Sequence, residues 1–219
     1  MRAPTATRWI VTVAGAELVG FALTGSIAFL GLALGGHPTT VTGRVLALLV
    51  MTFAGLIEGG CYGGAQALLL RRWLPGLPWR RFVGATMALA AGAWCFGMSM
   101  PLIATVMGSA AQQREAPVEG PPTWLVMLFA IGFGAVAGAL FGVVQLPALR
   151  GLVARRGAWV AGSAAGWGAG LPWAYLAGSL GSPDMPWWQA GALVAGAGLA
   201  MGLCAGAGTF VALRRLEPT

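Results

Sequence analysis

The chain has 219 residues, of which 58% are hydrophobic and only 9% charged, with a mean hydropathy of +0.78; roughly a quarter of the residues of an ordinary soluble domain are charged. A soluble protein this apolar would have no surface, so the composition excludes a water-soluble enzyme or binding module. The formal charge of +7 comes entirely from thirteen arginines, and their placement along the chain points to membrane topology rather than to nucleic acid.

Six apolar runs, near 9–34, 45–70, 82–108, 123–149, 159–181 and 187–213, are each long enough to cross a hydrocarbon core, which takes roughly 20 residues of helix. They lack the alternation of barrel strands. Backbone polar groups in lipid must be satisfied within the segment, so helices are expected. The first run is too long for a secretory signal and is interrupted by Glu17, so it is read as a retained first span. Arg2, Arg8, Arg71, Arg72, Arg80, Arg81, Arg150, Arg155, Arg156, Arg214 and Arg215 fall on one side of such a six-span chain; Arg44 and Arg114 fall on the other. Eleven against two is a strong positive-inside signal and predicts that both termini are cytoplasmic. The basic side is expected to meet anionic lipid headgroups.

The first span carries Ala16, Gly20 and Thr24 at helical spacing, and the second carries Gly55, Gly59, Gly63, Gln66, Leu70 and Arg71. The connector "RRWLPGLPWRR" at 71–81 is compact, basic and stiffened by Pro75 and Pro78; it suits lipid headgroups or a docked partner. The third span has Gly84, Ala88 and Gly92 in a row, and towards its outer end Cys95, Met98, Met100 and Met107, with His37 in the preceding external loop. Thioether and thiol ligands suit Cu(I), but methionine is also ordinary gap-filling material, and no metal site is expected. The external loop at 109–122 is too short to hold a soluble domain.

The fourth span repeats the phrase of the second with Gly134, Gly138, Gly142, Gln145, Leu149 and Arg150. The sixth repeats it with Gly198, Gly202, Gly206, Thr209, Leu213 and Arg214. The template GxxxGxxxGxx(Q/T)xxxLR thus occurs three times without a gap, at offsets of 79 and 64 residues, which predicts an internal triplication. The fifth span carries Gly162, Gly166 and Gly170. The expected architecture is an all-α, integral membrane six-helix bundle, a single transmembrane domain over 1–219. It is built from three parallel two-helix hairpin repeats, about 8–72, 79–150 and 158–215, related by a pseudo-threefold axis along the membrane normal. The glycine rows are expected to let backbones approach closely, since helices in lipid are held by van der Waals contact along small residues. Trp9, Trp73, Trp79 and Trp159 are expected in one interfacial belt and Trp124, Trp173, Trp187 and Trp188 in the other; Trp94 and Trp167 fall inside spans.

Intramembrane charge is where chemistry is sought, because a charge near the helix centre costs at least ~2.5 kcal/mol on insertion scales. Glu17 and Glu58 are the two such residues, both in the first repeat; the positions matching Glu58 are Ala137 and Met201. No basic residue lies within the spans to neutralise them. They are expected to bind a cation or proton, to contact a polar substrate, or to be neutral carboxyls bonded to a neighbouring backbone or to Gln66. Gln66, Gln145 and Thr209 share one depth and are expected to form a polar ring on the axis. Cys61, Cys95 and Cys204 lie within spans, so no disulfide is expected. Enzyme signatures such as a Gly-x-Ser-x-Gly elbow or a phosphate loop are missing from the sequence, and neither enzymatic activity nor a cofactor is expected.

The glycine row followed by Gln, aliphatics and Leu-Arg, with a tryptophan-bearing segment after the loop, resembles uncharacterised bacterial multi-pass membrane proteins. The resemblance covers the three repeated spans at motif level; Thr209 replaces Gln in the third copy and Pro147 interrupts the aliphatic stretch of the second. It implies a bacterial inner membrane and no particular activity. The first functional expectation is a non-enzymatic scaffold or accessory subunit that docks a membrane-protein partner or a second copy of itself. The alternative is a small cation- or proton-coupled transporter or channel using Glu17 and Glu58.

Overall fold

The computed structural model describes residues 3–36, 38–107, 122–182 and 185–219; Arg2, His37, Arg114 and the loop over 109–121 lie outside them. The chain forms six long helices: α1 (Ala6–Gly35), α2 (Val41–Trp73), α3 (Trp79–Met107), α4 (Thr123–Leu149), α5 (Gly157–Leu180) and α6 (Trp187–Leu213). Local chemistry sets their ends. The hydroxyls of Thr5 and Thr40 accept the amides of Arg8 and Gly43 at the starts of α1 and α2, and Pro122 and Pro186 precede α4 and α6, where a fixed φ and a missing donor do no harm. Gly151, at φ 76°, turns the chain sharply after α4 in a conformation that a side chain would oppose.

Five of the six helices are long and apolar enough to cross a membrane: α1, α2, the Trp79–Met100 part of α3, α4 and α6. The fifth helix falls short because glycine, serine and aromatics take the place of large aliphatics along Gly157–Leu180. Those small residues are where α5 is wedged between its neighbours. A Cβ at Gly166 would lie 2.8 Å from Ala205 Cα of α6, and one at Gly208 would lie 2.7 Å from Gly166 Cα.

Each helix packs on its neighbours in the chain, and α6 closes the ring against α1. The glycine rows of the even helices face the helix that follows. Gly55, Gly59 and Gly63 press on Ala91, Met87 and Thr86 of α3; Gly134, Gly138 and Gly142 on Trp167, Ser163 and Val160 of α5; Gly198, Gly202 and Gly206 on Phe21, Ala14 and Ile10 of α1. An added Cβ would stand 2.8 Å from Met87 Cα at Gly59, and 2.6 Å from Val160 Cα at Gly142 and from Ala14 Cα at Gly202. Side chains there would force the helices apart.

The α3–α4 seam is the sparsest. The α3 row of small residues is not a packing face: Gly84, Ala88 and Gly92 are exposed, and Gly84 and Gly92 meet nothing within 4 Å. Instead Thr86, Ala90 and Trp94 face α2, and Phe96 stacks on Phe133 of α4 with ring centroids 6.3 Å apart.

The arginine-bearing helix ends gather at one end of the ring, where the connectors fold inward. Leu74 and Leu77 of the α2–α3 connector, Val153 and Leu216 are buried there, and the tail pairs with the α4–α5 connector through Val153 and Pro218 and the Arg155–Glu217 ion pair at 3.2 Å. The connector at 71–81 is therefore partly a cap on the core rather than wholly a surface feature. Leu70, Leu149 and Leu213, expected as the last apolar residues before the headgroups, are fully buried beneath this cap.

Candidate functional site

Three levels of buried side chains fill the bundle inward from the arginine end. The first is a polar and aromatic layer to which every helix contributes: Trp9, Gln66, Thr86, Gln145, Trp159 and Thr209, all essentially inaccessible. Gln145 accepts the Trp159 indole N–H at 2.7 Å and donates to Gln66 Oε1 at 3.1 Å and to Thr86 Oγ1 at 2.8 Å. Thr209 accepts the Trp9 indole N–H at 3.0 Å. Thr86 and Thr209 each direct their own proton to the carbonyl one turn back, of Phe82 and Ala205, leaving an oxygen lone pair for the network. Trp9 and Phe82 meet Trp159 edge-on, with centroids 6.0 and 6.2 Å away.

The expected Gln/Thr ring is thus joined directly at Gln66–Gln145 and only through Trp9 and Trp159 at Thr209. Trp9 and Trp159 are not interfacial belt residues, contrary to expectation; both are fully buried, because Thr209 and Gln145 supply the acceptors a buried indole N–H requires. Trp79, Trp124, Trp173, Trp187 and Trp188 are exposed.

One turn along α2 comes an aromatic level. Tyr62 meets both Phe141 and Trp167 edge-on, with centroids 6.0 and 5.5 Å away, those two rings stack on each other at 5.1 Å, and the Tyr62 hydroxyl accepts the Trp167 indole N–H at 3.3 Å. The Gln66 amide nitrogen has no partner although the side chain is fully buried.

The carboxyl level follows. Glu17 of α1 has 0% of its surface exposed and Glu58 of α2 has 8%. A Cβ on Gly20, one turn beyond Glu17, would lie 3.1 Å from Glu58 Cα, so α1 and α2 are in close contact at this level. Glu58 Oε2 accepts the Trp94 indole N–H at 2.9 Å. Thr24 also reaches this level, donating to the Ala54 carbonyl at 3.4 Å. Both oxygens of Glu17 are buried without a hydrogen-bond partner. Trp94 also lies against Gly55, and Trp167 against Gly134 and Gly138, so the glycine rows make room for the two indoles that serve Glu58 and Tyr62.

Among the described residues no group of three or more His, Cys, Asp or Glu comes together. No family model, curated protein or solved structure matches the chain. Sequence reasoning missed Tyr62, Trp94 and Thr86 as companions of the polar residues. A signal was present: Glu58, Tyr62 and Gln66 stand four residues apart, which places them in one stripe on α2.

Proposed function

We propose that the protein is a multi-pass membrane transporter in which Glu17 and Glu58 bind a proton or a small monovalent cation. The orphaned carboxyl group of Glu17 carries this reading. A carboxylate in mid-membrane is already costly, and one without any hydrogen bond also forfeits all compensation for its lost water. A structural, neutral carboxyl would be expected to donate to a backbone carbonyl or to Gln66, and Glu17 makes no such bond. A proton shared with Glu58, or a cation held between the two groups, satisfies both. No catalytic step or cofactor enters this reading.

The arrangement behind it is three like-oriented hairpins about a pseudo-threefold axis, with α5 as the sixth crossing. The arginine end, carrying both termini, faces the cytoplasm and its anionic lipids across a bacterial inner membrane. Matched burial supports the repeat: Gln66, Gln145 and Thr209 share a level, as do Leu70, Leu149 and Leu213, and each glycine row faces the following helix. The carboxyl level is where the copies differ. Glu58 corresponds to Ala137 and Met201, while the residues meeting Gly59, Gly138 and Gly202 include Ala90, Trp167 and Glu17 respectively. Charge thus enters where the symmetry is broken.

The test is flux into liposomes holding purified protein. An imposed proton, sodium or potassium gradient should drive movement that Glu17→Gln or Glu58→Gln abolishes. Silence of the wild-type protein under all three gradients would overturn the proposal. A second reading, a scaffold or accessory subunit, draws on the exposed Gly84, Ala88 and Gly92 row of α3, which is bare enough to seat a partner helix. Isolation of the chain alone and monomeric from its native membrane in mild detergent would remove that reading.

A further inference from the structure

Fully buried residues are confined to the part of the bundle nearest the arginine-bearing helix ends. Going away from the arginines, the last buried residue is Thr24 on α1, Met51 on α2, Ala91 on α3, Ala130 on α4, Gly170 on α5 and Ala197 on α6. Beyond them, no residue whose exposure is described on any of the six helices is buried. Those segments run from seven residues on α4 to sixteen on α3, with ten or eleven on the other four helices, or about 10 to 24 Å at 1.5 Å per residue, a third or more of a hydrocarbon core. In a closed ring the inward-facing side of each helix would be covered by its neighbours throughout. Here even the inward continuations of the buried faces, such as Leu48 and Met127, retain accessible surface, and Gly97 and Gly178 meet nothing within 4 Å; the tightest glycine contact left is of α1 with α6, where a Cβ on Gly25 would lie 2.6 Å from Val194 Cγ1.

The carboxyl pair lies about two turns inside this limit of burial, Glu17 seven residues from Thr24 and Glu58 seven from Met51. Glu58 lies level with Gly20, one turn nearer the unpacked half than Glu17, and it is the member that keeps some exposure. On the other side the aromatic level, the six-helix polar layer and the buried leucines block the way to the arginine end.

We infer that the unpacked half is a water-filled vestibule open to the face opposite the arginines, which delivers a proton or hydrated monovalent cation to Glu58 and then to Glu17. The Trp9, Phe82 and Trp159 layer is the closed barrier on the arginine side. This assignment rests on the proposed function for what the vestibule delivers; the one-sided opening rests on packing alone.

The experiment is accessibility to a membrane-impermeant cationic thiol reagent in sealed vesicles. In a background with Cys61, Cys95 and Cys204 replaced by serine, Leu48→Cys and Met127→Cys should label from the face opposite the arginines. The lipid-facing Leu30→Cys and Phe129→Cys should stay unlabelled, and so should Leu70→Cys from either face. Failure of both inward positions, or ready labelling of Leu70→Cys, would overturn the vestibule. If the serine background does not fold, hydroxyl-radical footprinting of the wild-type protein decides. Oxidation of Met98 and Trp94 with protection of Trp9 and Trp159 is expected, and equal protection of all four would overturn it. Labelling without ion flux would sink the transport reading and leave the vestibule standing; flux without labelling would do the reverse.

Discussion

The half of the bundle nearest the arginines and the half farthest from them are built from similar amino acids and packed in opposite ways. Near the arginines, glycine rows bring backbones together, indoles find acceptors, and a polar layer draws on all six helices. In the far half Gly31, Gly97 and Gly191 meet nothing within 4 Å, and of its helical glycines Gly25, against Val194 of α6, is the one that meets another helix. Composition alone therefore does not decide close packing. What decides it is whether a small-residue row faces a partner surface at matching depth, as Gly59 faces Met87 and Gly202 faces Ala14. In lipid no hydrophobic drive closes a gap between two apolar helices, so an unmatched half has little reason to collapse.

The sharpest way to break this contrast is to fill the tight half. Gly138→Val should have the largest effect, because its side chain would meet the Ser163 carbonyl oxygen and the Trp167 Cβ, 2.7 Å from an added Cβ. Backbone cannot yield as a flexible side chain does. A loss of about 3 kcal/mol is expected, read as lowered resistance to unfolding in mixed micelles. Stability close to wild type would mean that the α4–α5 contact is looser than described.

Much of the tight half was legible in the sequence, because its determinants are local and periodic. The glycine phrases, the shared depth of Gln66, Gln145 and Thr209, and the isolation of Glu17 and Glu58 all follow from counting along helices. What the sequence did not reveal was which way α3 faces, whereas the rows of α1 and α5 do pack, Gly20 on Glu58 of α2 and Gly166 on Ala205 of α6. The row Gly84, Ala88, Gly92 looked like a packing stripe, yet α3 turns Thr86, Ala90 and Trp94 to α2. A small-residue row has no sign of its own; the bulky Trp94 that must fit beside Gly55 sets the rotation. For the same reason Trp9 and Trp159 read as belt residues. Their position near a helix start is a one-dimensional fact, whereas their burial depends on Thr209 and Gln145 arriving from other helices.

An intermediate effect is expected from Gln145→Leu, which removes the junction of the polar layer while roughly keeping its volume. Three hydrogen bonds are lost, to Trp159, Gln66 and Thr86. At ~0.6 kcal/mol for each interhelical bond in a membrane protein, the loss should be about 2 kcal/mol. Gln145→Glu keeps acceptors for Trp159 and should recover part of it. If Gln145→Leu proves neutral, the layer fills space without tying the six helices together.

The smallest effect separates the halves most cleanly. Gly97 of α3 and Gly59 of α2 are both helical glycines within apolar segments, but a Cβ at Gly97 has open space around it while one at Gly59 would stand 2.8 Å from Met87 Cα. Gly97→Ala should therefore change stability by no more than about 0.5 kcal/mol, in the stabilising direction because alanine favours helix over glycine. Gly59→Ala should be clearly destabilising, since the obstructing atom belongs to a backbone. The comparison is made by unfolding the two variants side by side. Equal losses would mean that the far half is packed as tightly as the near half, and the passage to Glu58 would then be closed.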